Sequence, residues 1–533
     1  MATMRFWGWG VDEHAGDGIP PHAEEMLRRE LDLPEHAGAP AVALEAVRLR
    51  DPAPLPDLPG EVRDDREARV LHAAGKSYPD LVRQRSGDAE DAPDAVLYPR
   101  SHDEVRAMLD ACGRGGIAVV PFGGGTSVVG GVEPLRADFA AVVALDLSRL
   151  DRLVSVDERS LTAVVEAGVT LPEAERLLGE RGLTLGHFPQ SYEYATVGGC
   201  VATRSAGQAS TGYGRIDELV LGVRMAAPVG DVDLRPMPAS AAGPDLRELV
   251  VGSEGALGVI TSSALRVRPV PAVKRYEGWM FPSFGEGAEC FRALEQAAAA
   301  PDVARLSDEE ETRLSMALAG TGGAKGALAG AYMRARGVAG GCIAICGWEG
   351  ESDDVARRRF RTVALLRKHG AVPLGSSPGS AWARGRYHGP YLRDHLMDRA
   401  VFVETLETAA QWSSLFGLYR AVGAALRGAL GPRCLVMCHV SHLYPSGASL
   451  YFTFLARARP GEELDQWRAA KSAATDAIVD AGGTITHHHA VGRDHAPWLV
   501  KEVGEPALSA LRAVKADLDP AGIMNPGKLL PEA

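Results

Sequence analysis

No stretch of the 533-residue sequence reaches the roughly 18 consecutive apolar residues that a membrane-spanning helix needs, and no apolar segment follows Arg5 near the start. Neither a membrane span nor a secretion leader is therefore expected. A peroxisomal ending is missing too, since the chain closes Pro531-Glu532-Ala533. Cysteine is sparse: Cys112, Cys200, Cys290, Cys342, Cys346, Cys434 and Cys438 are odd in number and form no C-x-x-C. They read as reduced, buried thiols of a cytoplasmic protein, not as a disulfide framework. There is no run of lysine or arginine, and the formal net charge is -12, which argues against a nucleic-acid partner. No internal repeat is present. What remains is an ordinary globular composition, 46% hydrophobic and 24% charged, long enough for two or three domains.

Glycine, by contrast, is abundant and clustered. Val119-Val120-Pro121-Phe122 leads into Gly123-Gly124-Gly125-Thr126-Ser127. A strand entering such a loop can bring backbone N–H groups and two hydroxyls against one pyrophosphate, because glycine tolerates φ > 0 and close approach. The G-x-G-x-x-G of a Rossmann unit is absent, and Val128, Val129 and Gly130 are poor helix formers. Two further loops follow. One runs from Gly186-His187-Phe188-Pro189-Gln190-Ser191 through Thr196-Val197-Gly198-Gly199 to Thr203-Arg204-Ser205-Ala206-Gly207. The other is Gly252-Ser253-Glu254-Gly255-Ala256-Leu257-Gly258-Val259-Ile260. Together they suggest one long cradle for a phosphate-bearing ring cofactor. The alternative, a set of glycine-rich surface turns, fits any one loop but not three in order.

Four regions follow from the pattern. Residues 1–92 are Pro-rich, charged and irregular, with a short helix near 22–30, and Trp7 and Trp9 need something to bury against. Residues 93–271 alternate strand and helix; Val105, Met108, Leu109 and Cys112 mark one apolar helix face. Residues 272–430 begin a new α+β unit, with a helix expected at 291–300 and a mobile loop or lid at 320–341, where Gly and Ala dominate. Residues 431–533 complete it with strands at 435–440, 450–455 and 484–489 and helices at 463–481 and 506–517.

The chemistry-bearing residues lie mostly in the last region. His487, His488 and His489 follow Thr484-Ile485-Thr486, so a strand is expected to place His487 and His489 on one face and His488 on the other. A neutral imidazole is a general base near neutral pH. With His439 and His442 the triplet could instead ligate a divalent ion, although no carboxylate has an obvious spacing to them. Tyr451 alternates with Leu450, Phe452 and Phe454, leaving its phenol on the non-core face as a proton donor or a plain hydrogen-bonding tyrosine. Arg393, opening a helix after Pro390, suits a carboxylate or phosphate, or else a surface ion pair with Asp394. Arg305 has the same two readings. Glu404 and Glu407 read as a solvated helix face.

The three loops as a set resemble the FAD domain of vanillyl-alcohol-oxidase type flavoproteins. Trp7-x-Trp9-Gly10, Thr203-Arg204-Ser205-Ala206-Gly207, Tyr391-Leu392-Arg393-Asp394, Glu407-Thr408-Ala409-x-x-Trp412, Gly447-Ala448-x-x-Tyr451-Phe452-x-Phe454, His487-His488-His489-x-Val491-Gly492 and Trp498-Leu499 resemble the alkyldihydroxyacetonephosphate synthase branch. The resemblance implies an α+β fold, a two-subdomain FAD-binding domain at 93–271 followed by a cap domain. It implies FAD held non-covalently by Pro121, Gly123, Gly124, Gly125, Thr126, Ser127, Pro189, Ser191, Thr196, Gly198, Gly199, Thr203, Arg204, Ser205, Gly207, Glu254, Gly255, Gly258, Val259, Ile260 and Arg305. It further implies a redox-neutral exchange, through a flavin N5 adduct, of the acyl chain of acyl-dihydroxyacetone phosphate for a fatty alcohol. Tyr451 would be the acid/base, the His487–His489 triplet the base, and Arg393 the anion binder. A resident metal is not expected; a homodimer is, and a lipid substrate would bring the protein to a membrane surface. Phe188 and Gln190 depart from the acidic residues of the eukaryotic pattern, Thr453 replaces a second tyrosine, and the Ala- and Arg-rich composition suggests a bacterium. The alternatives are an FAD-linked dehydrogenase of a 2-hydroxy acid or other alcohol, and a flavin-binding protein without turnover.

Overall fold

The apolar runs of the sequence pair into three main sheets in the computed structural model, which describes residues 4–11, 18–34, 41–320 and 323–531. The first sheet joins β1 (Glu61–Arg63), β2 (Ala95–Tyr98), β3 (Ile117–Phe122) and β4 (Ala141–Asp146) in the order β1-β2-β4-β3, with β2 and β3 both parallel to β4. The helix His102–Gly115 links β2 to β3. Ser101 caps it by accepting from Glu104 N–H, and Gly116 ends it at φ 58°, a conformation that costs glycine little. Its Val105, Met108, Leu109 and Cys112 are buried on the sheet, as the spacing requires.

The second sheet is antiparallel: β5 (Leu153–Asp157), β6 (Thr162–Glu166), β7 (Val220–Ala227), β8 (Gly230–Leu234) and β9 (Val259–Arg266) in the order β5-β6-β9-β7-β8. Helices Leu171–Gly179 and Val197–Ala202 pack on its apolar face.

The third sheet has seven antiparallel strands: β10 (Val273–Phe281), β11 (Val303–Ser307), β12 (Cys342–Gly350), β13 (Val372–Gly375), β14 (Val401–Gln411), β15 (Cys434–Tyr444) and β16 (Gly447–Arg457), in the order β13-β10-β12-β11-β15-β16-β14. The two strands from 431–533, β15 and β16, lie between β11 and β14 from 272–430, so the two regions form one cap. Four helices, Phe284–Gln296, Ser352–Lys368, Trp412–Leu430 and Glu463–Asp480, bury the core face. The opposite face meets the short helix Ser210–Tyr213, where Tyr213 donates to Glu349 Oε2 at 2.8 Å and Leu443 N–H to Thr211 at 3.3 Å. No helix of the described residues is long and apolar enough to cross a membrane.

Four expectations fail. Gly323–Ala335 is a helix, not a lid loop, because alanine is the best helix former and outweighs the interspersed glycines. The helix expected at 291–300 is Phe284–Gln296, capped by Ser283. Residues 484–489 form no strand, and the histidine triplet lies on an irregular strap. Glu404 and Glu407 belong to β14 and are buried. In a strand, residues three apart face opposite ways. Glu404 therefore turns to the helical layer, accepting from Trp467 Nε1 at 2.7 Å, and Glu407 turns to the other face.

Candidate active site

The three glycine-rich loops converge at the C-terminal end of β3. A Cβ on Gly123 would lie 2.5 Å from Thr196 Oγ1, one on Gly124 1.9 Å from the Tyr194 carbonyl, and one on Gly207 2.7 Å from Phe188 N. Gly125 sits at φ 63° and Gly255 at φ 74°, where its missing Cβ clears Pro121. Thr196 caps the helix that begins at Val197, accepting from Gly199 N–H at 3.2 Å, and Gly198 packs on Ala167. Thr126 and Ser127 are half-buried on the first loop, and Ser127 Oγ accepts from Gly131 N–H at 2.9 Å. Pro189 and Ser191 shape the second loop by accepting the N–H groups of Tyr192 and of Tyr194 and Ala195. Ser205 Oγ lies 3.1 Å from His187 Nε2, while His187 Nδ1 and Asn525 Oδ1 are buried and without a partner. Backbones that approach this closely, hydroxyl-bearing and flanked by orphaned polar atoms, fit a large, polar, phosphate-bearing cofactor.

Not every residue expected in the cradle turns toward it. Arg204, at φ 52°, gives its guanidinium to Glu248 at 2.8 Å and Asp217 at 2.9 Å. Gly258, Val259 and Ile260 open β9, the latter two in the apolar core. Thr203 Oγ1 donates to Gly199 O at 2.9 Å. Glu254 is pushed up to about 7 by burial, and its carboxylate accepts from Val491 N–H at 2.8 Å and Gly492 N–H at 2.6 Å, so it ties the third loop to the strap.

The cap contributes a row of side chains. Register places Ser307, His439, Tyr451 and Glu407 side by side on β11, β15, β16 and β14. The Tyr451 ring stacks between His439, at 4.9 Å and 18°, and His488, at 6.0 Å and 18°, with His489 edge-on at 5.6 Å. Burial pushes the Tyr451 phenol up to about 12, so it keeps its proton at neutral pH. The same desolvation lowers every neighbouring imidazole: His487 and His442 fall well below the usual range, His488 and His439 fall, and His489 drops to about 3. Desolvation thus favours their neutral, proton-accepting forms.

Glu407 sits under this row. Its carboxylate accepts from Thr486 Oγ1 at 2.7 Å and from the N–H groups of His487, His488 and His489, the last two at 3.1 and 2.8 Å. Against burial, which would raise it, attraction to the charged forms of His488, His489 and His487 and the Thr486 hydrogen bond hold the carboxyl well below its ordinary range, and the same attraction favours protonation of those rings. One carboxylate thus replaces the missing strand ladder for the strap. Sequence reasoning missed it because its partners lie about eighty positions on; the Thr486 hydroxyl beside the triplet was the one local signal. Glu407, His488 and His489, and likewise His442, His487 and His488, bring ligand-type atoms within 4.8 Å of one another, so the carboxylate that the metal reading lacked is present.

The two arginines differ. Arg305 donates to Glu311 at 2.6 Å and lies 3.0 Å from His439 Nε2; against burial, His439 and Arg305 hold Glu311 at about 2. Arg393 donates to the Lys76 carbonyl at 2.7 Å, and Lys76 N–H in turn donates to Ser127 O at 2.6 Å. Arg393 Nε is buried without a partner, and its charge offsets a part of the rise that burial gives the Tyr451 phenol. It is a cation with hydrogen-bonding capacity left for an anionic ligand.

Comparison with known proteins agrees with this geometry. A family model described as "FAD binding domain" matches residues 93–233, and one described as "FAD linked oxidases, C-terminal domain" matches residues 270–529. Alkyldihydroxyacetonephosphate synthase of Dictyostelium discoideum is 33% identical, over 96% of this chain and 88% of its own. That of Trypanosoma brucei brucei is 35% identical, over 88% and 78%. A solved alkyldihydroxyacetonephosphate synthase structure superposes with TM-score 0.84 at 30% identity, covering 99% of each chain.

Proposed function

The chain belongs to the alkyldihydroxyacetonephosphate synthase family of FAD-linked oxidases, and from that premise we propose that it exchanges the acyl chain of an acyl-dihydroxyacetone phosphate for a fatty alcohol. The bond between the dihydroxyacetone carbon and the carboxylate oxygen breaks, and a bond from that carbon to the alcohol oxygen forms. The fatty acid leaves as carboxylate, and the alcohol gives up one proton. When bound, FAD supplies an electron-pair donor and acceptor at the reacting carbon.

The side chains divide the remaining work. The neutral imidazole of His488, stacked on Tyr451 and backed by Glu407, takes the proton of the alcohol. Glu407 stabilises the imidazolium that forms, as a buried carboxylate beside a base does. Tyr451, protonated at neutral pH, donates a hydrogen bond to developing negative charge and moves a proton at its hydroxyl. Arg393 binds the leaving carboxylate or the phosphate. Arg305 is already paired with Glu311 and fixes the far end of the row through His439. The observation that carries the reading is the Tyr451 phenol stacked between neutral imidazoles within the field of an open Arg393.

The test is to incubate holoprotein with palmitoyl-dihydroxyacetone phosphate and hexadecanol and to assay ether lipid, with anaerobic D-2-hydroxy acids as the contrasting substrates. Ether product without net flavin bleaching is expected. Bleaching near 450 nm by a hydroxy acid, with no ether, would assign the protein to the dehydrogenases. Buried free cysteines suit a cytoplasmic location, and the family suggests a homodimer working at a membrane surface; light scattering and vesicle flotation test these.

A further inference from the structure

The N-terminal tryptophan motif takes no part in the reaction described above, yet it is built into the site. Residues 5–10 form a tight strap closed by Arg5 N–H to Gly10 O at 2.9 Å. Trp9 is 2% exposed and meets Tyr194 of the cofactor loop edge-on at 5.3 Å. Lys76 Nζ donates to Phe6 O at 2.9 Å, and Arg5 lies over the Trp7 ring at 4.3 Å. On its other side the strap grips the helix Gly389–Met397: Trp9 N–H donates to Asp394 Oδ2 at 2.5 Å, and Arg5 Nη2 lies 3.6 Å from the same oxygen. A Cβ on Gly8 would come within 2.6 Å of that oxygen, so this position must be glycine for the contact to form.

Asp394 is the neighbour of Arg393; the carboxylate is buried and the arginine half-buried. A buried carboxylate seeks the nearest cation, since leaving it unpaired costs more than any pairing gains. Here the strap's N–H and guanidinium hold Asp394 Oδ2, while Asp394 Oδ1 and Arg393 Nε have no hydrogen-bond partner. We infer that the strap is a positioning element: by holding the carboxylate of Asp394 it leaves the guanidinium of Arg393 available for the anionic group, carboxylate or phosphate ester, of the substrate. The inference rests on the proposed role of Arg393. It gives the motif a function that its distance in sequence from every catalytic residue conceals.

Steady-state kinetics of Gly8→Ala and Arg5→Gln in the full-length holoprotein test it. The KM for palmitoyl-dihydroxyacetone phosphate rises roughly tenfold, the ratio set by one charge-assisted hydrogen bond, while the KM for hexadecanol and the FAD content stay as they were. Adding Asp394→Asn to Gly8→Ala removes the competing charge and restores most of the loss, which a merely structural strap would not allow. Equal rises for both substrates, loss of FAD in step with activity, or no recovery on adding Asp394→Asn overturns the inference. Arg393→Ala separates the two claims. If it leaves the acyl-substrate KM unchanged, the role of Arg393 itself falls. If it raises that KM while the strap variants do not, the strap alone is excluded.

Discussion

Tyr451 and the histidines around it are a set of groups all held in their neutral forms by one cause, desolvation. That makes the site sensitive in a directed way. Tyr451→Phe keeps the ring stack with His439 and His488 and removes only the proton. We expect kcat to fall by about two to four orders of magnitude with FAD bound as before, measured by ether formation and flavin absorbance. His489 carries a stability signature. Its folded pKa is about 3 against an ordinary 6.5, so below about 6.5 the unfolded chain binds a proton that the folded chain refuses. Its stabilising contribution is therefore intact above that value and is lost as pH falls toward about 3, at about 1.4 kcal/mol per pH unit. Thermal melts between pH 7 and 4 should show a shallower acid loss for His489→Gln than for the unaltered protein. Equal slopes would mean that His489 is not buried as a neutral ring.

At the scale of elements, the strap 486–492 is unusual in having no ladder of its own. Two buried carboxylates, Glu407 from β14 and Glu254 from the third loop, accept its backbone N–H groups. Glu407→Gln turns an acceptor into a group that also donates, leaving some of those N–H groups unmet at a cost of about 1–3 kcal/mol. Circular dichroism melts should show that loss, and ether formation should fall further than stability does. This is also where the sequence was least legible. The glycine loops could be read because the need for glycine is local: a Cβ at Gly124 collides with the chain at Tyr194 whatever else the protein does. Gly124→Ala should accordingly abolish FAD retention on gel filtration. The alternation around Tyr451 was legible for the same reason. Glu407 was not, because a spacing of three between two glutamates imitates a helix face, and the contacts that bury it come from a distant segment. Thr484-Ile485-Thr486 has strand propensity, and the carboxylate beneath the triplet overrides that preference.

In the whole molecule, the site exists only where the seven-stranded cap meets the loops of the first two sheets. No single region holds both the cradle and the proton carriers, so cofactor binding and cap docking stabilise each other. Free FAD at a hundred times its dissociation constant should therefore raise stability by about 2.7 kcal/mol, read as an upward shift of a single melting transition. Two transitions, with FAD moving only one, would show that the regions fold apart. The order of regions was readable from the change of pattern near 271. The merging of the last two into one sheet was not, because the join of β11 to β15 is a pairing between segments more than a hundred residues apart.

One contact across that length bears on how the protein is made. Residues 523–525 lie alongside β3: Val119 N–H donates to Ile523 O and Asn525 N–H to Val119 O, each at 2.8 Å, while Asn525 Nδ2 reaches the Glu254 carbonyl at 2.6 Å. The strand that launches the glycine triplet is thus bordered by residues translated some four hundred positions later. Until residues 523–525 have been made, that edge of β3 has no partner. Truncation just before Ile523 is therefore expected to leave a protein that folds its cap yet retains less FAD on gel filtration.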